Sequence, residues 1–409
     1  MSKIIRRYRP RKDKKPVQRI WQECGWISQE KHELEAQALL IKASDAWVME
    51  LNGEAECLVL STDGIFHHTG TPLKLSAITG VTTSRVARNL SAASKTLARC
   101  LTEQAEAGKA VSGLGIFEQG FYNRLGYGNG TYEHLIRFDP AWIKNLGKPR
   151  TPVRLSLDDF SEIHQTRLDR RKAHGATDLL PPEITQADML FSKKIFGLGY
   201  RENGKLTHCI IARGDGEFGP YHVEQIIYSS IHHFRELMAL IRGLGDQVRQ
   251  VRFREPRGIQ IQSLLKKPFQ LYTVTQQAKY QARSSAMAYW QLRILNLPEC
   301  IAALSLDKNL EFNLTLSDPI EKYIDEKFSW RGCGGDYTVS LGGSSRAVPG
   351  HKDGLPVLYC SINDFTRFWM GAASAEVLNG LESFNGPEEL IHALDQVMNF
   401  PLPAPDWDY

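Results

Sequence analysis

The sequence is poor in features that would mark a secreted, membrane or disulfide-bonded protein. No uninterrupted apolar run approaches the roughly 18 residues that a membrane-spanning helix needs, and the N-terminus does not resemble a signal peptide. The seven cysteines are scattered and form no CxxC pair, so neither a disulfide framework nor a zinc ribbon is supported. We therefore expect a cytoplasmic protein with no membrane partner and no bound metal.

The sequence also has little net charge. Its 50 Lys/Arg and 46 Asp/Glu give a formal charge of +4, which does not by itself indicate a nucleic-acid partner. The positive charge is concentrated near the N-terminus, where residues 3–19 contain nine Lys/Arg and a single acid, Asp13. Because no stacking platform or DNA-reading motif follows, we interpret this segment as a solvated strand-to-helix connection, and we expect no nucleic-acid partner.

A chain of 409 residues with 42% hydrophobic residues predicts two or three globular domains of mixed α and β structure. In the first region, Asn52-Gly53 is a hairpin signal, and a strand is predicted over Leu73 to Val81. Ser84 is a candidate N-cap for a helix that would end near Gly108. The predicted apolar face of that helix consists of Val86, Leu90, Ala93, Leu97 and Leu101.

Two further regions follow a break at Pro149 and Pro152. The second repeats the order strand, helix, strand, so two related units in tandem are a reasonable hypothesis. The third begins near Trp290 and contains alternating strands, for example from Leu310 to Leu316, followed by helical spacing. Its proline-rich end carries Trp407 and Tyr409, which are typical of a tail that docks rather than one that stays free.

Several candidate motifs fail on their spacing. The pairs His67-His68 and His232-His233 are adjacent in sequence, whereas two histidines on one helix face that share a metal stand four residues apart, so we interpret them as surface or capping residues. Gly113-Leu114-Gly115 lacks the third glycine of a dinucleotide-binding fingerprint. Cys100 falls on the apolar side of its predicted helix, which favours a core role over a nucleophilic one.

The most informative constellation combines the start of the first long helix with a glycine-rich segment further along. A helix N-terminus offers unpaired N–H groups and partial positive charge, which suit a pyrophosphate, and Arg85 and Arg88 lie beside it. Downstream, Tyr122 and Tyr127 place two phenols among glycines. A phenol with an ordinary pKa near 10 holds a proton that it can donate to a thiolate at neutral pH. The alternative is that both tyrosines simply pack.

These segments resemble a known family. The run Gly80-Val81-Thr82-Thr83-Ser84-Arg85, followed by Gly120-Phe121-Tyr122-Asn123-Arg124-Leu125-Gly126-Tyr127-Gly128, looks like the acetyl-CoA-binding and catalytic segments of GNAT acetyltransferases. More narrowly, it resembles the enhanced-intracellular-survival (Eis) branch. The resemblance implies an α/β (α+β) chain of two tandem GNAT folds with mixed central sheets and a sterol-carrier-like C-terminal domain. The expected domain limits are 1–147, 148–289 and 290–409.

The resemblance also implies roles for individual residues. Tyr122 would be the general acid, and the α-carboxylate of Tyr409 would be the base. The residues implied for acetyl-CoA are Thr79, Gly80 and Val81 along the pantetheine arm, Ala87, Arg88, Asn89, Leu90, Ser91 and Ala92 around the pyrophosphate, and Phe117 and Glu118 on the far side. The phosphate loop departs from the family pattern, because Asn89 stands where the family has glycine.

The implied function is an N-acetyltransferase that transfers acetyl from acetyl-CoA to a small-molecule or peptide amine by direct attack in a ternary complex. We expect acetyl-CoA in the first unit alone, because Pro256 interrupts the corresponding stretch of the second. The resemblance also implies a homo-oligomer, such as a hexamer. Phe368 and Trp369 either form the contact between subunits or are buried within the C-terminal domain. The alternative function is a non-catalytic GNAT-like scaffold whose C-terminal domain binds an apolar ligand or mediates oligomerisation.

Overall fold

The computed structural model describes residues 3–192, 194–267 and 282–409. Its strands are β1 (Lys3–Arg7), β2 (Ser44–Leu51), β3 (Glu54–His68), β4 (Thr71–Thr83), β5 (Val111–Gly115), β6 (Gly128–Asn129), β7 (Glu133–Phe138), β8 (Val153–Leu155), β9 (Thr177–Leu179), β10 (Ile195–Glu202), β11 (Lys205–Gly214), β12 (Tyr221–Ile227), β13 (Val251–Arg254), β14 (Arg283–Met287), β15 (Trp290–Ile294), β16 (Leu310–Ser317), β17 (Gly335–Leu341), β18 (Arg346–Pro349), β19 (Val357–Ser361) and β20 (Phe384–Asn385).

The helices complete a mixed α/β architecture, as the sequence predicts. They are α1 (Pro10–Glu23), α2 (Lys31–Lys42), α3 (Ala92–Glu106), α4 (Gln119–Asn123), α5 (Phe160–Leu168), α6 (Pro182–Phe191), α7 (Ile231–Gly243), α8 (Leu297–Ala302), α9 (Ile362–Trp369), α10 (Ala375–Leu381) and α11 (Glu388–Val397). None of the helices in the described ranges is long and apolar enough to cross a membrane.

The strands form three mixed sheets. The first has the order β1-β2-β3-β4-β5-β15-β6, with β9 paired to β3, and the second has the order β14-β7-β13-β12-β11-β10-β8. The third has the order β18-β17-β16-β19-β20. Each contains one parallel pair among its assigned neighbours, namely β4 with β5, β12 with β13, and β16 with β19, while the other pairs are antiparallel.

The first two sheets exchange strands across the expected domain limits. β7 precedes residue 147 but lies in the second sheet, between β13 and β14. β15 follows residue 289 but lies in the first sheet, between β5 and β6. The limits at 147 and 289 stay a prediction, and the pairing shows that segments on both sides of each limit share a hydrogen-bonded sheet.

The basic N-terminal segment forms β1 and the start of α1, which confirms the strand-to-helix interpretation. Arg6 makes a bidentate contact with the buried carboxylate of Asp13, at 2.7 and 2.9 Å, and also pairs with Glu50. Pro10 occupies the first turn of α1, where its missing N–H costs no helical hydrogen bond. Part of the positive charge therefore stabilises the fold locally.

The predicted start of the long helix is wrong. α3 begins at Ala92 instead of directly after Ser84, and Val86, which the prediction placed on the buried face, is 71% exposed. Asn89 and Ser91 adopt left-handed conformations, with φ of 61° and 55°, and such residues interrupt an α-helix. The second half of the predicted face is correct, since Leu97 and Leu101 are fully buried.

The C-terminal region also differs from its sequence pattern in detail. The helical spacing from Phe365 to Leu378 belongs to two helices, α9 and α10, which are separated by Gly371 at a φ of 75°. Phe368 and Trp369 are buried, so the idea that they form an oligomer contact is wrong. The predicted docking of the tail is confirmed, because Trp407 is only 1% exposed.

Candidate active site

The site is built where two parallel strands of the first sheet separate. β4 and β5 pair in register from Leu75↔Val111 to Ile78↔Leu114, and β4 then continues to Thr83 without β5 beside it. The amide of Ile116, just after β5, donates instead to the carbonyl of Tyr289 at 2.6 Å. An opening therefore separates the two strands beyond Ile78 and Leu114, and from residue 79 to Thr83 this edge of β4 pairs with no strand in the described part of the chain.

The residues expected along the pantetheine arm lie on the β4 side of this opening. Thr79 is skipped in the β3–β4 register, which passes from Leu60↔Gly80 to Ser61↔Ile78. This bulge turns the strand at the point where β4 leaves β5. Gly80 is buried and Val81 is half-buried, so the three residues expected to bind the arm form one continuous edge.

The expected pyrophosphate loop lies between β4 and α3. Ala87 is buried in a short 3-10 turn, Arg88 and Asn89 are exposed, and Leu90 is half-buried. The side chain of Ser91 does not cap α3, and the first amides of a helix have no partner within it. The N-terminus of a 15-residue helix, with its partial positive charge, is therefore open toward the loop.

The glycine that the family pattern requires in this loop is replaced without loss of the conformation. Asn89 holds a left-handed φ of 61°, a region that asparagine tolerates better than most residues. Ser91 holds a φ of 55°, next to the start of α3. The loop therefore keeps a backbone shape that glycine normally provides, although its side chains project from it.

The two candidate phenols have different environments. The Tyr127 hydroxyl is fully buried and lies 2.7 Å from Ser112 Oγ, which donates to the carbonyl of Ser76. Tyr122, on α4, is 3% exposed, and its hydroxyl makes no hydrogen bond to another described residue. Tyr127 therefore has a hydrogen-bonded packing role, whereas the Tyr122 hydroxyl has no hydrogen-bond partner among the described residues.

Tyr122 lies beside the point where the strands separate. It packs in one cluster with Ile78 and Leu114, the last paired residues of β4 and β5. Phe121 contacts it edge-on, with ring centroids 5.0 Å apart. Burial raises the pKa of the Tyr122 phenol well above its ordinary value, so the group stays protonated at neutral pH. This is the protonation state that a general acid requires.

The C-terminal residue approaches the same place from the other side of β5. A Cβ at Gly113 would lie 2.7 Å from Cζ and Oη of Tyr409, and a Cβ at Gly115 would lie 3.9 Å from the Tyr409 backbone oxygen. Since side chains alternate along a strand, these two glycines face away from Leu114 and Tyr122. The end of β5 therefore separates the Tyr122 ring from the Tyr409 ring.

Long-range contacts hold the tail in this position. Arg170 binds both carboxylate oxygens of Asp406, at 2.6 and 2.5 Å, and Arg167 stacks on the Trp407 ring at 3.7 Å. Asp408 accepts from Arg254 at 2.5 Å and from Tyr289 Oη at 3.0 Å. The Tyr409 hydroxyl lies 3.1 Å from Thr177 Oγ1. Each of the last four residues is therefore fixed by a separate contact.

The remaining expected residues lie at the rim. Phe117 is 76% exposed and contacts Tyr122 edge-on, with centroids 5.9 Å apart. Glu118 caps α4 by accepting from the Gly120 amide at 2.9 Å. Glu118 thus has a structural task that the sequence did not indicate, and Phe117 offers an apolar surface beside the opening.

The sequence reasoning missed the residues that seat and hold the tail. Gly113 and Gly115 were considered as a dinucleotide fingerprint, whereas they accommodate Tyr409. Glycines at alternate positions of a strand indicate close approach by another group, so a signal was present. Arg170 and Arg167 carried no local signal of this role, because their partners in the tail, Asp406 and Trp407, lie more than 200 residues away.

The interpretation of the histidine pairs as surface or capping residues is wrong for His68. His68 is fully buried and lies 2.9 Å from the carbonyl of Trp369, and burial together with His174 lowers its pKa to about 3. His233 stacks on buried His208, with centroids 4.2 Å apart. The predicted core role of Cys100 is confirmed by its complete burial.

Residues 5–130 match the family model of the acetyltransferase (GNAT) domain, a range that includes β4, α3, β5 and Tyr122. No curated protein matches the sequence at a significant level.

Solved structures resemble the whole chain at low sequence identity. A probable N-acyltransferase from Enterococcus faecalis has a TM-score of 0.82 at 16% identity, with all of both chains covered. A GCN5-related N-acetyltransferase from Anabaena variabilis has 0.77 at 16% identity, over 99% of this chain and 100% of its own. Eis1 from Mycobacterium abscessus has 0.75 at 14% identity, with all of both chains covered. These likenesses establish the fold.

Proposed function

We propose that the chain is an N-acetyltransferase that uses acetyl-CoA as co-substrate and an amine as acceptor. The observation that carries the proposal is the separation of β4 from β5 with Tyr122, a buried and unpartnered phenol, at the point of separation. The GNAT match over residues 5–130 supports the same chemistry for this segment. The acceptor's identity within the class of small-molecule or peptide amines is left to experiment.

The chain's own groups fit acetyl-CoA along the length of the opening. The edge formed by Thr79, Gly80 and Val81 offers backbone partners to the amides of the pantetheine arm. The uncapped start of α3 and the loop from Ala87 to Ala92 suit the pyrophosphate, with Arg88 exposed to add positive charge. Phe117 and Glu118 would flank the far side of the arm.

The proposed reaction is a direct transfer in a ternary complex. The amine nitrogen attacks the thioester carbon, the C–S bond breaks, and the Tyr122 phenol donates its proton to the departing thiolate. The proton lost by the attacking nitrogen leaves through the α-carboxylate of Tyr409, directly or through a water. The products are an amide and the free thiol of CoA, and the carboxyl proton returns to the Tyr122 phenolate through solvent, so atoms and charge balance.

The proposed carboxylate acts mainly by position. An α-carboxyl has an ordinary pKa near 3.5 and is a weak base at neutral pH. The contacts of Asp406, Trp407 and Asp408 fix it near Gly115, where an incoming ammonium would be oriented toward the thioester. We therefore assign the larger catalytic effect to Tyr122 and the smaller one to Tyr409.

The experiment that tests the proposal follows release of CoA thiol from acetyl-CoA in the presence of a panel of primary amines. We expect thiol release that depends on the amine and gives the acetylated product by mass spectrometry. If the chain binds acetyl-CoA but acetylates none of the amines, the claim that the acceptor is an amine is wrong. Failure to bind acetyl-CoA at all would instead favour the non-catalytic scaffold.

A further inference from the structure

The second sheet repeats the strand separation of the first. β12 and β13 pair in parallel at Tyr221↔Val251 and His222↔Arg252, after which β12 runs on to Ile227. The β11–β12 register skips Glu224, just as the β3–β4 register skips Thr79. The second sheet therefore contains the same backbone arrangement that forms the proposed binding edge in the first sheet.

The second unit lacks the features that suit a pyrophosphate. Residues 228–230 alone separate β12 from α7, whereas residues 84–91 separate β4 from α3. Ser230 caps α7 by accepting from the His233 amide at 3.1 Å, so one of the first amides of this helix already has a partner. The repeated opening is thus unsuited to acetyl-CoA, in line with the expectation from Pro256.

A cavity of about 330 Å³ nevertheless lies at this second opening. Its walls come from β12, from β13 and the turn after it, from β7, from residues 167–173 and from the tail residues 404–406 and 408. This volume falls within the range of about 300–1,000 Å³ that is typical of small-molecule sites. The cavity therefore has room for a small organic ligand.

Four arginines and a histidine form a row across the sheet, and two of these residues, His222 and Arg252, line the cavity. Five adjacent strands place Arg213, His222, Arg252, Arg137 and Arg283 in register with one another. Like charges directly opposite each other on neighbouring strands destabilise a sheet. Arg213 is compensated by Asp215 and Glu224, whereas the other three arginines have no carboxylate within 4 Å among the described residues.

Further unpaired cations line the cavity itself. Arg171 and Arg257 have no ion-pair partner in the described part of the chain. Arg167 is buried, and although Asp188 lies 3.6 Å from its Nη1, that atom makes no hydrogen bond. A buried guanidinium nitrogen without an acceptor is costly, and a ligand oxygen would satisfy it.

The acidic groups of the cavity do not cancel this charge. Asp406 is bound by Arg170, Asp408 by Arg254, and Glu224 by Arg213. Glu255 accepts from the Ile261 amide at 2.7 Å. Glu133 is buried with neither carboxyl oxygen hydrogen-bonded, and burial raises its pKa to about 8 although Arg254 Nε lies 3.4 Å from Oε2, so burial favours its uncharged form. A surplus of positive charge remains.

We propose that the cavity between the diverging ends of β12 and β13 binds a small organic anion through a carboxylate or phosphate group, held by Arg252 and Arg257. Guanidinium groups bind both kinds of oxyanion in a bidentate manner. None of the residues assigned to acetyl-CoA lines this cavity, and the proposal does not depend on the proposed acetyl transfer.

The test titrates the full chain with succinate and, separately, with inorganic phosphate, by calorimetry and by thermal unfolding. We expect saturable binding of at least one probe, together with a rise in the melting temperature that saturates at the same concentrations. The probe that binds more tightly identifies the oxyanion. Absence of saturable binding by both probes would overturn the proposal.

Two single variants locate the binding. Arg252→Gln and Arg257→Gln should each weaken binding of the anion at least tenfold, whereas Arg346→Gln, on β18 of the third sheet, should leave it unchanged. Arg257 is exposed, so its replacement does not endanger folding, and Arg252→Gln removes repulsion from Arg137 and Arg213. Unchanged affinity in both cavity variants would contradict the assignment.

A parallel titration with acetyl-CoA separates this proposal from the proposed function. Both cavity variants should bind acetyl-CoA with the affinity of the unmodified chain. Loss of acetyl-CoA binding in these variants, without loss of anion binding, would show that the cavity belongs to the co-substrate site and would overturn the proposal.

Discussion

The phenol ring of Tyr409 lies directly against Gly113, so that a Cβ at position 113 would meet ring atoms at 2.7 Å. This contact joins the last residue of the chain to the central strand of the candidate active site. It explains why β5 carries a glycine within a buried region of the sheet, where glycine otherwise weakens a strand.

The first prediction follows from this contact. Gly113→Ala should displace the Tyr409 ring and lower turnover by about tenfold or more, because small displacements of positioned groups are costly in catalysis. Circular dichroism should show that the fold is retained. The control is Gly343→Ala, at a position where a Cβ meets no atom within 4 Å. Equal turnover in the two variants would show that the ring position does not matter.

The second prediction distinguishes the two phenols. Tyr122→Phe should lower turnover by about 10²–10⁴-fold while affinity for acetyl-CoA and thermal stability stay near their original values. Tyr127→Phe removes a buried hydrogen bond with Ser112 and should cost about 1 kcal/mol of stability with a smaller effect on turnover. Steady-state kinetics and thermal unfolding of both variants provide the check. A larger kinetic loss in Tyr127→Phe would reverse the assignment.

The third prediction concerns Arg170, which we call the clamp on the tail because it binds Asp406. Arg170 joins Asp406 of the tail to Asp178, and loss of one partner from a buried ion pair typically costs about 3–5 kcal/mol. Arg170→Gln should therefore destabilise the protein strongly. Lys352→Gln, which breaks an exposed pair with Glu311, should have little effect on stability, because solvent screens exposed ion pairs. Similar melting temperatures for the two variants would contradict the clamp.

The same clamp has a defined pH dependence. Burial opposes ionisation of Asp178, but hydrogen bonds from His67 and Lys172 and the charge of Arg170 outweigh it and lower the pKa of Asp178 below its usual range. A carboxylate with a lowered pKa stabilises the fold above its unfolded pKa of about 3.9, and this stability is lost as the pH falls. The difference in stability between the unmodified chain and Arg170→Gln should therefore shrink below about pH 4.

The fourth prediction concerns Glu133, whose contribution to stability changes with pH in the opposite direction to that of Asp178. Burial raises the pKa of Glu133 to about 8, so the folded state binds a proton that the unfolded state releases above about pH 4.3. This group should lower stability as the pH rises from about 4.3 to 8, by at most about 1.4 kcal/mol per pH unit. Glu133→Gln should gain stability over the original chain across this range, whereas exposed Glu326→Gln should not. Parallel pH profiles for all three proteins would refute the raised pKa of Glu133.

The fifth prediction concerns the terminal carboxylate. Residues added after Tyr409 move the carboxylate away while every existing side chain is kept. We expect lower turnover with unchanged binding of acetyl-CoA and an unchanged melting temperature. A chain with the same residues added before Met1 serves as the control. Full turnover in the extended chain would remove the carboxylate from the mechanism and leave the tail with a packing role.

Local sequence patterns predicted much of the fold and of the opening between the strands. The Asn52-Gly53 hairpin, the strand that became β4, and the buried positions Leu97 and Leu101 follow from turn chemistry and periodicity. The start of α3 was misplaced because the apolar spacing continues through Asn89 and Ser91, whose left-handed conformations end the helical geometry. The spacing of apolar residues does not predict which residues adopt such left-handed conformations.

The rest of the site depends on contacts between distant segments. The placement of Tyr409 rests on Gly113, Thr177 and Arg170, none of which is near it in sequence. The positions of β7 and β15 in their sheets are set by pairing across the chain, which local propensity does not encode. The row of arginines across the second sheet becomes visible only once the strand register is known.

Calorimetric titration of the full chain with acetyl-CoA tests the central claim most directly. The account predicts one site per chain, with a dissociation constant between about 1 μM and 1 mM, the range typical of enzyme substrates. Arg88→Glu, which reverses an exposed charge in the phosphate loop, should weaken this binding, whereas Arg346→Glu should not. No detectable binding, or equal binding by both variants, would contradict the assignment of this loop to acetyl-CoA.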